Sequence, residues 1–281
     1  MGKLPARPAE KIARRDSLEG GREQVQSGAL RLLLATSSVA ALLIGGGAPR
    51  ALAAACTITE NGTSVASVTN SGAINCIDVQ NSTVTGNVSN TSTGTLTANG
   101  TSAPTKTGIT INNASVGGTV VNAGHITTTS TSGGGIFVTN STAVAGGVSN
   151  SGSISVGGFG IIVSNVTQFG GITNSGAISV SSAFGSGIGV SGPTYAAGIS
   201  NSGTISAAFG IAAGNFDSFG TAGRGIANSG KIAGQFAGVL VNGGTTGSGG
   251  SRGTFAGGIS NSGTITSTLE GVAVVNTLQF N

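Results

Sequence analysis

Histidine occurs once in the 281 residues, at position 125, and that single imidazole bounds the chemistry open to the chain. A serine hydrolase needs a hydroxyl, an imidazole and a carboxylate brought together. Beyond residue 55 the only acids are Glu60, Asp78, Asp217 and Glu270, far apart in sequence. His125 stands in Asn122-Ala123-Gly124-His125-Ile126, where equivalent segments carry Ser, Ala, Thr or Lys. That marks an outward, variable position and not a catalytic base. Calcium-binding nonapeptides need a regular Asp, and none recurs. Gly185-Ser186-Gly187-Ile188-Gly189 lacks the glycine spacing and the following helix of a dinucleotide loop. The expectation is therefore no catalytic residues, no metal site and no cofactor.

The polar side chain that does recur is asparagine. Gly147-Val148-Ser149-Asn150-Ser151-Gly152-Ser153-Ile154-Ser155 returns with few changes at 171–179, 198–206, 225–233 and 258–266. The marker asparagines are Asn70, Asn90, Asn122, Asn150, Asn174, Asn201, Asn228 and Asn261, at intervals of 20, 32, 28, 24, 27, 27 and 33 residues. Early copies are degenerate: Asn90-Thr91-Ser92 lacks the turn glycine, and Asn122-Ala123-Gly124 lacks the serine. Self-similarity at such periods signals a repeat architecture.

Between consecutive turns lies a second apolar element. It reads Gly135-Ile136-Phe137-Val138, Gly160-Ile161-Ile162-Val163, Gly187-Ile188-Gly189-Val190 and Gly238-Val239-Leu240-Val241 in four of its copies. Each repeat thus offers three short segments alternating in period two, and no window carries a useful amphipathic helix. The predicted fold is all-β: a β-solenoid (parallel β-helix) of about eight to nine three-strand coils spanning residues 56–281. Coils stack at ~4.8 Å, so Ile and Val at equivalent positions form interior columns.

Asn and Gly tolerate left-handed backbone and Ser bonds locally, which makes Asn-Ser-Gly a competent corner. Stacked corners would set Asn above Asn, with amides bonding along the stack. A second column is expected at Asn140, Asn165, Asn242 and Asn276. Phe169, Tyr195 and Phe255 recur ahead of the Asn-Ser-Gly element and are read as packing rings, with a sugar-binding stripe as the alternative. The Gly- and Ser-rich stretch 243–251 reads as a flexible loop lengthening one coil.

Residues 1–55 differ in kind. A basic flank, an apolar run at 32–44 and the small-residue sites Ala51-Leu52-Ala53 and Ala53-Ala54-Ala55 describe a secretory signal peptide with an extended basic region. The apolar run is shorter than the ~20 residues a spanning helix needs. Of 12 bases and 8 acids in the chain, eight and four lie in residues 1–55, leaving four of each. A neutral body offers no footprint for nucleic acid. Two closely spaced cysteines behind an export signal predict one disulfide, Cys56–Cys76, in an oxidising compartment.

A signal peptide, a small disulfide loop and Gly-Ile-x-Asn-Ser-Gly-x-Ile coils together resemble the passenger region of bacterial autotransporters. The resemblance covers 56–281 and is clearest from Gly147 to Thr266. It implies an exported chain, displayed at the cell surface, held in the outer membrane or released outside the cell, that reaches it through a C-terminal β-barrel translocator. It also implies an adhesive or structural role toward a surface or host ligand that the repeat does not name. Residues 56–281 contain no segment series fit for a barrel, and the chain stops after a core strand without a polar capping repeat. The expectation is a product truncated at its C-terminus. The competing function class is a carbohydrate-active β-helix enzyme, which would require acids and bases clustered on one face.

Overall fold

The computed structural model describes residues 55–280, except 129, 193, 222, 244 and 247–250. The expected signal peptide lies outside the described residues, save for Ala55. Among them there is no helix, and strand follows strand in one repeating circuit. The first circuit runs Ile58–Asn61, Ser64–Val65, Val68–Asn70 and Ala73–Ile74. The next runs Ile77–Gln80, Thr83–Val84, Val88–Asn90 and Thr95–Ala98, each strand pairing in parallel with its predecessor one circuit back. This is a parallel β-helix.

Each coil has one strand more than the sequence suggested. The extra strand is two residues long, as at Thr83–Val84, Ser115–Val116 and Ala143–Val144. Two residues are too few for alternation to be read, and so this face is silent in the sequence. Two of the remaining faces merge where Thr204–Gly214 and Lys231–Asn242 round a corner without leaving strand conformation. A register shift between Ala207 and Phe209 absorbs the bend. The third long face is an eight-strand stack from Val68–Asn70 to Ile259–Asn261, which matches the count of marker asparagines.

Columns of apolar side chains fill the interior. Ile77, Ile109, Ile136, Ile161, Ile188, Ile211 and Val239 are successive register partners, and all are fully buried. A second column runs Leu96, Ile126, Ile154, Ile178, Ile205 and Ile232 on the strands after the Asn turn. The two columns meet over glycine. A Cβ added at Gly135, Gly160, Gly187, Gly210 or Gly238 would lie 2.2–2.5 Å from Cγ2 of Ile154, Ile178, Ile205, Ile232 or Ile265. The glycine of Gly-Ile-x-Val is therefore the space into which the neighbouring isoleucine packs.

The lengthened coil departs from expectation. Thr245–Thr246 pairs antiparallel with the start of Ser251–Phe255, so the described part of the 243–251 stretch is a strand pair and not a plain loop. It is the one antiparallel pairing among the described residues.

Candidate functional site

The residues that organise the coil are the asparagines, and their backbone is not what the sequence suggested. None of the marker asparagines has positive φ, and neither has the glycine of any Asn-Ser-Gly copy. The asparagines end their strands with the side chain turned inward. Asn90, Asn122, Asn150, Asn174 and Asn201 are completely buried, and Asn70 and Asn228 nearly so. Each amide nitrogen donates to the amide oxygen of the next coil's asparagine at 2.7–2.8 Å, from Asn70 through to Asn261. Its second hydrogen goes to the carbonyl of the turn glycine, as from Asn201 to Gly203 at 3.3 Å. Both donors are thereby satisfied without water, the condition for burying an amide.

The turn glycine is required by contact, not by conformation. A Cβ at Gly152, Gly176, Gly203, Gly230 or Gly263 would lie 2.0–2.1 Å from the carbonyl oxygen of the equivalent glycine one coil back. The same oxygen accepts the amide following that glycine, for example Thr204 N–H to Gly176 at 2.9 Å. The glycine assumed lost after Asn90 is present two positions later. Gly94 receives the Asn90 amide at 3.3 Å and accepts from His125 N–H at 2.9 Å. The insertion of two residues hid it.

Left-handed backbone belongs to the second column. Asn140, Asn165 and Asn276 have φ of 50°, 52° and 53°, and Asn81, Asn113 and Asn215 join them at 50–53°. Gly192, at φ 134°, falls in the same series. Here Asn is the residue best able to hold the αL corner. Its amides also bond between coils: Asn113 to Asn81 at 2.7 Å and Asn165 to Asn140 at 3.3 Å. Asn242, expected in this column, instead ends the strand before the corner, in register with Gly214 and Val275 and without positive φ, and accepts from the Asn276 amide at 3.1 Å. The three extra members carried a usable signal, an Asn directly after each Ile-x-Val-type strand.

At the first coil the sulfurs of Cys56 and Cys76 are bonded, with Cα atoms 4.8 Å apart. Asn75 clamps the same edge, accepting from Thr57 N–H and donating to the Ala55 carbonyl, each at 2.6 Å.

The remaining chemistry-bearing residues do not converge. His125 is exposed and its Nδ1 lies 2.7 Å from Ser153 Oγ, the register-paired residue of the next coil. No carboxylate is bonded to that imidazole among the described residues. Glu60 accepts from the Thr63 hydroxyl and Asp78 from Gln80. Among the described residues no three of His, Cys, Asp and Glu are grouped to hold a metal ion.

Tyr195, Phe219 and Phe255 are buried rings in one interior column with ring centres 5.2–6.1 Å apart, and Phe169 meets Tyr195 edge-on at 5.9 Å. The Tyr195 hydroxyl donates to the carbonyls of Val163 and Ser191, and burial pushes its pKa upward. These rings pack the core and offer no face to a sugar.

Asp78 is buried, and its Oδ1 has no partner, nor has the hydroxyl of Thr110 at the register-paired position. Desolvation raises its pKa above the ordinary 3.8, against a smaller lowering by the Gln80 hydrogen bond. The folded state thus holds this proton more tightly than the unfolded chain. The resulting stabilisation is complete below the ordinary carboxylate pKa and is lost as pH rises through the folded value. Asp78→Asn should therefore raise the unfolding midpoint at neutral pH and flatten its decline with rising pH. Thermal scans from pH 3 to pH 7 check this; an equal or lower midpoint at pH 7 contradicts it.

Compared with known proteins, the chain matches no family model, no curated protein sequence and no solved structure.

Proposed function

We propose that the chain is an exported, autotransporter-like passenger: a β-solenoid displayed at the cell surface or released, with a structural or adhesive role and no enzymatic activity. The observation that carries this reading is the in-register stack of coils with asparagine and aliphatic columns inside. Such a stack turns Ser and Thr outward at alternate positions, as at exposed Thr173, Ser200 and Ser260. A repeating neutral face of hydroxyls suits contact with surfaces, glycans or sibling chains better than turnover of one substrate. The Cys56–Cys76 bond supports an oxidising destination. An outer-membrane β-barrel translocator is the partner this reading requires. The alternative, a carbohydrate-active enzyme, draws no support from acids as dispersed as Glu60, Asp78, Asp217 and Glu270.

External protease added to intact producing cells tests the proposal. The expected result is loss of the chain from whole cells, with both thiols blocked to alkylation until a reductant is added. A chain retained in the cytoplasm with two free thiols would overturn it.

A further inference from the structure

Three successive corners, where the chain passes from the strand after the Asn turn to the Gly-Ile-x-Val strand, open onto one shallow groove. Its floor is Val180-Ser181-Ser182 on the first coil, Ser206-Ala207-Ala208 on the second and Ala233-Gly234-Gln235 on the third. Its volume is about 300 Å³, at the lower end of small-molecule sites. Three coils at ~4.8 Å make it about 10 Å from first to last.

Each of these corner segments runs directly into a phenylalanine: Phe184 after Ser182-Ala183, Phe209 after Ala208 and Phe236 after Gln235. The three rings form one cluster. Phe184 stacks on Phe236 at 5.8 Å and 18° between planes, and Phe209 meets Phe236 at 5.6 Å. Phe184 is 78% exposed, the most exposed large apolar residue described. The solenoid interior does not use it, since the core columns are complete without it.

We propose that this groove, together with the phenylalanine cluster into which its three corner segments lead, binds a neutral glycan. The chemistry of the lining selects that class. Ser181, Ser182, Ser206 and Gln235 offer hydroxyl and amide groups that pair with sugar hydroxyls, while an exposed ring face suits the C–H face of a pyranose. No charged side chain lines the groove, which disfavours phosphorylated and sialylated ligands. A folded protein partner needs about 800 Å² on each side, far more than three corners and three rings present. The inference deepens the adhesive reading by naming what the rod would hold.

The test is binding of the purified full chain to an array of neutral and sialylated oligosaccharides, repeated with Phe184→Ala and Gln235→Ala. The expected result is saturable binding to neutral members, weakened about fivefold or more in Phe184→Ala, since an aromatic contact supplies ~1 kcal/mol. The unfolding midpoint should fall by no more than about 4 °C, because the stack on Phe236 is the packing that this solvent-exposed ring gives up. If it falls further, Gln235→Ala decides by the same criterion. No binding to any neutral oligosaccharide, or binding unchanged in both variants, overturns the site. Protease protection on whole cells fails separately: it would remove the display reading and leave the purified-protein result standing.

Discussion

Gly203→Ala is expected to lower the thermal unfolding midpoint by roughly 6–12 °C, whereas Gly72→Ala should leave it almost unchanged. Both glycines occupy the same place in the Asn-Ser-Gly turn. At Gly203 a methyl group would stand 2.0 Å from the Gly176 carbonyl oxygen and 2.6 Å from the Ser175 carbonyl carbon. Both atoms are backbone, held by the bond from Thr204 N–H to Gly176, so no side chain can swing aside. Forced repacking of this kind costs about 3 kcal/mol, and ~2–4 °C per kcal/mol gives the range for a domain of this size. At Gly72 the same methyl would meet nothing within 4 Å among the described residues. If these glycines served a left-handed backbone, the two variants would suffer alike. Equal losses would therefore refute the stacking account.

Asn201→Ala is expected to cost about 2–6 kcal/mol, read as a lower denaturant midpoint at unchanged slope. The substitution strands two neighbours at once. Asn174 loses the acceptor for its amide nitrogen, and Asn228 loses the donor to its amide oxygen, each at 2.7 Å. Both asparagines are buried, so water cannot replace the partner, and each orphan costs about 1–3 kcal/mol. Asn261→Ala is the internal control. Asn261 is exposed and leaves only Asn228 Nδ2 without its acceptor, so the loss should be under half as large. Glycan or surface binding should survive both changes. Equal costs at the two positions would mean that burial is not what gives the ladder its value.

The architecture was legible because period-two alternation repeats about every 25 residues, and a repeated signal survives local noise. Asn140, Asn165 and Asn276 were legible as a second column for the same reason. What escaped the sequence has identifiable physical causes. The two-residue face at Thr83–Val84 and its copies is too short to alternate. The turn glycine after Asn90 was displaced by an insertion that only the coil-to-coil pairing of His125 with Gly94 reveals. The reason for glycine in Asn-Ser-Gly was misassigned, since a residue that tolerates left-handed backbone and one that lacks a Cβ are the same letter. Only the distance to the coil behind separates these. Phe209 and Phe236 follow their turn asparagines, Asn201 and Asn228, at one spacing and Phe184 follows Asn174 two residues later, so the three did not read as one column until the corners were aligned.

In-register stacking of coils is the claim on which the rest depends, and spin labels measure it directly. With Ser89, Thr173 and Ser260 replaced pairwise by labelled cysteines, one ladder position per coil separates the sites. Ser89 to Thr173 and Thr173 to Ser260 each span three coils by the strand register. Pulsed electron spin resonance should give about 14 Å for each of those pairs and about 29 Å for Ser89 to Ser260, from ~4.8 Å per coil. A Ser89–Ser260 distance below about 20 Å, or one that does not equal the sum of the two shorter ones, would contradict the stacked solenoid.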